Sequence, residues 1–86
     1  MRNIRKVNVI TFTLGNGDDA INHREVYESE ANAAGRMNLL MNRDIVADYD
    51  EMFEVGSGLG TYAGTLVSSL ESAERIAEHK YGEAVL

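Results

Sequence analysis

Cysteine, proline and tryptophan are all absent from this 86-residue sequence. Without cysteine the chain can form neither a disulfide framework nor a zinc–thiolate site. Without proline, glycine is left as the main residue that ends helices and strands. No apolar run approaches the roughly 18–20 residues that cross a membrane. The length of 86 residues predicts one compact domain over residues 1–86. A cytoplasmic protein with no membrane association is the default expectation.

Positive charge is scarce, and one part of the chain has none. Fourteen acids face eight bases, which gives a net charge of −6. The stretch from Asp44 to Glu54 contains five acids and no base, whereas the rest of the chain has nine acids against eight bases. A negative field disfavours nucleic acid as the main ligand and favours a basic partner.

The first half of the chain predicts a hairpin followed by a helix. Residues 4–14 are rich in β-branched side chains and alternate apolar with polar positions, as a strand does. Gly15-Asn16-Gly17 carries the Asn-Gly hairpin signal, and a second strand is predicted over Ile21–Glu28. Ser29 is a suitable N-cap, so the first helix should cover residues 30–42.

The second half predicts the same elements again. Met52–Val55 is predicted as a short strand, Gly56–Gly60 as a turn and Thr61–Val67 as another strand. An S-x-x-E capping box beginning at Ser68 predicts the start of a second helix. A glycine after Tyr81 predicts that this helix ends there.

Two repeats of strand, strand and helix define an α+β class. The sequence predicts ββα-ββα, with a four-stranded, mainly antiparallel sheet and two helices on one of its faces. Gly35 lies inside the first helix, where glycine costs about 1 kcal/mol relative to alanine. We therefore expect Gly35 to mark a close contact between this helix and the sheet.

The acids do not match a known metal-binding loop. Counted from Asp48, a calcium loop needs Gly at its sixth position and Glu at its twelfth, where this chain has Phe53 and Leu59. We predict no metal site. A metal-dependent enzyme using Asp48, Asp50 and Glu51 stays open as an alternative.

Other catalytic patterns are equally incomplete. Gly58–Ala63 fits G-x-G-x-x-A, but no parallel strand with an acid follows it, as a dinucleotide fold requires. His23 and His79 have no nucleophile nearby in the sequence, and solvent exposure is the expectation for both. The sequence predicts no enzyme and no cofactor.

The acidic stretch also contains apolar side chains. Tyr49, Met52 and Phe53 lie among the acids, and apolar anchors ringed by charge are typical of protein interfaces. Alternatively, Met52 and Phe53 belong to the core of a short strand. The interface hypothesis assigns partner binding to Asp44, Asp48, Tyr49, Asp50, Glu51, Glu54, Glu71, Glu74 and Glu78.

These patterns predict a small acidic binding protein rather than a catalyst. It would act as an inhibitor or adaptor that docks on a basic surface of another protein, including one that itself binds nucleic acid. Small antagonists encoded by viruses and phages share this size and charge. The alternative is a structural subunit that forms a homo-oligomer through a sheet edge or through Ala84–Leu86.

Overall fold

A computed structural model describes residues 2–56 and 64–86 of the chain. The four strands form one sheet with antiparallel pairing, in which the second, first, third and fourth strands of the chain lie side by side in that order. The predicted α+β class, with a four-stranded sheet and two helices, is confirmed, whereas the exact ββα-ββα order and the shared face of the helices stay predictions. The elements are β1 (Ile4–Leu14), β2 (Ile21–Tyr27), α1 (Glu30–Asn42), β3 (Ala47–Val55), β4 (Thr65–Val67) and α2 (Leu70–Tyr81).

The chain divides into two compact units. The hairpin unit is the continuous segment Asn8–Asp50, and the terminal unit combines Met1–Val7 with Glu51–Leu86. Each unit has its own hydrophobic cluster. The predicted turn after Gly56, the start of the predicted strand at Thr61 and the Gly58–Ala63 motif lie outside the described residues.

In the hairpin unit, β1 and β2 pair as the sequence predicts. Their register places Leu14 opposite Ile21 and Phe12 opposite His23. The connection contains a short 3₁₀ turn at Gly17–Asp19. Gly15 has a φ of 91°, and a Cβ there would lie 2.6 Å from the carbonyl oxygen of Asp19. Only glycine therefore fits the first position of this loop.

Helix α1 begins and ends where the sequence predicts. The Ser29 hydroxyl accepts a hydrogen bond from the backbone N–H of Asn32 at 3.2 Å, which satisfies a helix donor that would otherwise lack a partner. The helix covers the hairpin with a small apolar stripe. The buried cluster of this unit consists of Ile10, Phe12, Ala33 and Leu40.

An ion pair fixes the polar edge of this cluster. Arg36 on α1 binds both carboxylate oxygens of Glu25 on β2, at 2.8 and 3.0 Å. The hydrogen bond from Arg36 lowers the pKa of Glu25, whereas burial and the neighbouring carboxylate raise the pKa of Tyr27. The guanidinium of Arg36 also lies 5.7 Å from the ring centre of Phe12.

His23 is not the solvated side chain that the sequence suggests. Its ring stacks on Phe12 with centroids 5.2 Å apart and planes 11° from parallel. The stacking follows from the register, because cross-strand partners share a face of the sheet. His79, in contrast, lies exposed on α2.

Gly35 does not mark a close helix–sheet contact, so that expectation is wrong. Gly35 is exposed, and a Cβ built on it would meet no atom within 4 Å. Glycine at this place therefore costs helix propensity without gaining any packing in the described part of the chain.

Replacing this glycine should stabilise the protein. Gly35→Ala is expected to raise the free energy of unfolding by about 0.5–1 kcal/mol, because alanine restricts the unfolded chain and fits helical dihedrals. Urea denaturation of both proteins measures the difference. A loss of stability would mean that other atoms of the protein already fill the space that the added methyl group of residue 35 needs.

The terminal unit is built around α2. Its buried cluster consists of Ile4, Val55, Ala73 and Ala77. The helix begins one residue later than predicted: Ser69, not Ser68, accepts the hydrogen bond from the N–H of Ser72. Its end at Tyr81 is confirmed, since Gly82 follows with a φ of 78°.

Asn3 joins the chain after α2 to the start of β1. Its side-chain amide donates to the carbonyl of Glu83, and its Oδ1 accepts from the N–H of Val85, both at 2.7 Å. The backbone N–H groups of Asn3 and Ile4 donate to the carbonyl of Val85 at 3.0 Å. Ala84 packs against the cluster of this unit.

Candidate functional site

Strand β3 contains most of the acidic stretch. The sequence predicts a strand only from Met52, but β3 begins at Ala47. Successive side chains of a strand point to opposite faces. Asp48 and Asp50 therefore share one face of the sheet, while Glu51 points to the other.

This alternation separates the three acids of the alternative metal site. Asp48 and Asp50 are exposed, whereas Glu51 forms an ion pair with Lys6 at 3.3 Å on the opposite face. Within residues 2–56 and 64–86, no three His, Asp or Glu side chains come together as a metal-binding set. The geometry gives no support to a metal-dependent enzyme built on these residues.

Glu54 is fully buried, contrary to its assignment as a partner-binding residue. One carboxylate oxygen lies 2.7 Å from Nε of Arg5, and the other accepts a hydrogen bond from the N–H of Gly64 at 3.1 Å. A Cβ on Gly64 would lie 2.2 Å from the carbonyl oxygen of Val55, so only glycine allows this approach. Glu54 therefore joins β1 to the segment before β4 and does not face solvent.

The aromatic residues of the stretch contribute to the cores. The ring of Tyr49 packs against the hairpin-unit cluster, and its hydroxyl donates to Oδ1 of Asn8. Phe53 packs against the terminal-unit cluster. The packing of Phe53 agrees with the alternative interpretation that this residue belongs to the core. Neither ring is therefore free to act as an interface anchor.

Asp44 directly follows the C-cap of α1 and adopts a backbone conformation that usually requires glycine. Its φ is 58°, and its N–H donates to the carbonyl of Met41 at 3.0 Å. The N–H of Ile45 donates to the carbonyl of Leu40 at 2.9 Å. These two bonds define a Schellman motif with aspartate at the left-handed position. Both the positive φ and a negative charge at a helix C-terminus are unfavourable.

Removing the charge of Asp44 should stabilise the fold. Asp44→Asn is expected to raise the free energy of unfolding by about 0.3–1 kcal/mol at low ionic strength, because asparagine tolerates this φ and does not repel the helix dipole. Denaturation at low and high salt measures the gain, which should shrink as salt rises. Asp48→Asn on the strand is the control, with an expected change below about 0.5 kcal/mol.

Val46 lies between these acids and is the most exposed large apolar residue of the described chain, at 88%. It lines a shallow depression together with Asp44 and Asp48, next to Thr13 and Arg24. Sequence reasoning passed over Val46 and Arg24, because a single valine in a loop and a single arginine in a strand carry no periodic signal.

Helix α2 carries the other predicted partner-binding acids. Glu71, Glu74 and Glu78 are all exposed. Glu71 forms an i,i+4 ion pair with Arg75 at 3.2 Å, and both side chains are more than three-quarters exposed. Such a pair is weak, so it stabilises the helix only slightly.

No family model, curated protein or solved structure that was compared with this chain matches it. Among the residues that the structure describes, no helix combines the length and apolarity needed to cross a membrane.

Proposed function

We propose that this chain is a small, non-enzymatic binding protein that docks on a basic surface of another protein as an inhibitor or adaptor. One observation carries the proposal: Asp44, Asp48 and Asp50 are exposed, and in the described parts of the chain none of them has an ion-pair partner. Four of the other acids are paired with arginine or lysine, namely Glu25, Glu51, Glu54 and Glu71, whereas Glu74 and Glu78 on α2 are exposed without such a pair in the described residues.

Unpaired like charges do not stabilise a fold, but their summed field accelerates encounter with a basic partner. The hairpin unit, residues 8–50, holds eight acids against three bases, so most of the chain's excess charge belongs to it. Asp44 adds a second reason, because its charge and its φ both oppose stability. A residue whose conformation and charge are both locally unfavourable, with no stabilising side-chain contact in return, points to a role in function.

Self-assembly is the second candidate, and exposed apolar side chains of the hairpin unit favour it. Ile21 on β2 is 61% exposed, and Leu39 and Met41 on α1 are 52% and 63% exposed. The tail route is less favoured, since Ala84 and Val85 already bind within the terminal unit. Salt distinguishes the candidates, because an apolar assembly weakens much less as ionic strength rises than a charge-steered complex does.

Charge neutralisation tests the first candidate. The variant Asp44→Asn/Asp48→Asn/Asp50→Asn should associate about tenfold more slowly at low salt with the partner recovered by affinity pull-down, because steering by the acidic surface is lost. Stopped-flow or surface-binding kinetics measure the rate, and denaturation confirms that the variant is folded. The difference from the unmodified chain should nearly vanish at high salt.

Helix α2 supplies a matched control for the same change in charge. Glu71→Gln/Glu74→Gln/Glu78→Gln removes three exposed acids from the terminal unit. If the aspartates form the steering surface, this variant should associate at nearly the unmodified rate. Equal slowing of both variants would show that net charge alone governs association. An unchanged rate for the aspartate variant would refute the proposal.

A further inference from the structure

A shallow depression lies on one face of the hairpin unit. Its floor is formed by the ends of β1 and β2, where Thr11 is paired with Arg24 and Thr13 with Asn22. The Thr13 hydroxyl donates to Oδ1 of Asn22 at 2.7 Å, so these two polar groups are already satisfied by each other. The segment Asp44–Asp48 forms the opposite wall.

The two walls of this depression carry opposite charges. Arg24 lies on β2, whereas Asp44 lies just before β3 and Asp48 is the second residue of β3. Strand β1 separates β2 from β3, and two strand spacings amount to about 10 Å. None of these three side chains has an ion-pair partner in the described parts of the chain. The charges thus remain available to a ligand.

The shape of the depression suits a chain segment better than a small molecule. Its volume is about 1000 Å³, but it is widely open to solvent. Small-molecule sites, in contrast, enclose most of the surface of their ligand. Val46, almost fully exposed, and Leu14, 40% exposed, add apolar surface beside the acids. An apolar contact next to charge is the usual arrangement of an interface anchor.

We propose that this depression binds a segment of the partner protein in which lysine or arginine side chains flank an apolar residue. The cations lie against Asp44 and Asp48, and the apolar side chain covers Val46. Arg24 excludes further cations from the β2 side, which makes the site selective for a segment of this pattern over a uniformly basic one. This inference depends on the proposed function and specifies which surface of the chain performs it.

A pair of synthetic peptides tests the site directly. Both are short and capped at each end, and each carries one leucine, flanked by lysines in the first peptide and by glutamates in the second. Amide NMR spectra of the full chain are recorded during titration at low salt. The lysine peptide should shift amide signals of residues 11–15, 22–24 and 44–48, and the glutamate peptide should not.

Variants assign the two parts of the contact. Val46→Ser should weaken the lysine peptide about tenfold, which corresponds to about 1.4 kcal/mol, and folding is not affected because the side chain is exposed. Asp48→Asn should also weaken binding. Leu39→Ser and Glu74→Gln are the matched controls for an exposed apolar and an exposed acidic residue, and both should leave affinity unchanged.

The outcomes separate this inference from the proposed function. Shifts on α2 without shifts at the depression, an equal response to both peptides, or no response to the lysine peptide would each overturn the proposed site. The association kinetics of the triple aspartate variant judge the proposed function independently. If those kinetics slow while the peptide maps elsewhere, only the location of the site is wrong.

Discussion

Phe12→Ala is expected to lower the free energy of unfolding by about 3–5 kcal/mol, the range for removal of a buried aromatic ring. Phe12 belongs to the buried cluster of the hairpin unit with Ile10 and Leu40. The substitution leaves a cavity there and removes the ring on which His23 stacks and over which Arg36 lies. Hydrophobic, aromatic and cation–π contacts are all lost at once.

Urea denaturation monitored by circular dichroism measures this loss, and the neighbouring residue supplies the control. Thr13 is exposed on the opposite face of the same strand. Thr13→Val keeps the β-branched shape and removes only the solvent-exposed hydrogen bond to Asn22, so stability should change by no more than about 0.5 kcal/mol. A similar loss for both variants would mean that the two faces of β1 do not differ in burial as the structure shows.

Glu54→Ala is expected to destabilise the protein by about 3 kcal/mol, at the lower end of the range for a broken buried ion pair. The lower end applies because Arg5 is about one-third exposed, so water partly replaces the lost carboxylate. The N–H of Gly64 also loses its acceptor. Glu54→Gln should lose less, because the amide retains the shape and one acceptor.

The same strand contains a matched acid for comparison. Glu51 pairs with Lys6, but its side chain is 52% exposed and that of Lys6 is 59% exposed. Glu51→Ala should therefore change the free energy of unfolding by less than about 0.5 kcal/mol, as expected for a surface ion pair. Thermal and urea denaturation compare the two variants. Equal losses would contradict the burial difference between Glu51 and Glu54.

Local signals account for the elements that the sequence located well. The bounds of β1 and α1 agree with the sequence because alternation, the Gly15 turn and the Ser29 cap each act within a few residues. The misplaced cap of α2 has an equally local reason. Ser68 and Ser69 are adjacent and have the same capping ability, and only the bond to Ser72 distinguishes them.

Long-range contacts account for what the sequence could not reveal. In the sequence Glu54 cannot be distinguished from Glu51, because both are glutamates of the acidic stretch. Only the contact of Glu54 with Arg5, 49 residues away, makes it a buried residue. The early start of β3 depends on pairing across the sheet, which no local pattern records. The sequence shows that Asp44 is charged, but it does not show that the residue is left-handed. That conformation follows from the Schellman motif, which the N–H of Ile45 completes.

The site was therefore predicted only in part. Asp48 and Asp50 lie exposed on one face, as an extended chain requires. Tyr49 and Glu54, in contrast, are held by contacts within the fold. The sequence could identify which residues are charged, but it could not identify which charges the fold had already paired.

The bonds between Asn3 and Val85 have a consequence for the order in which the protein folds. The hairpin unit is one continuous segment, residues 8–50, and its internal contacts need no later part of the chain. It can therefore form on a ribosome-bound chain as soon as Asp50 has emerged. Asn3 is made earlier but must wait for Val85, and closing so long a loop is entropically unfavourable and slow. During synthesis Ile4 therefore stays exposed longer than the other members of its cluster, and residues 4–7 of β1 remain uncovered until α2 has been made.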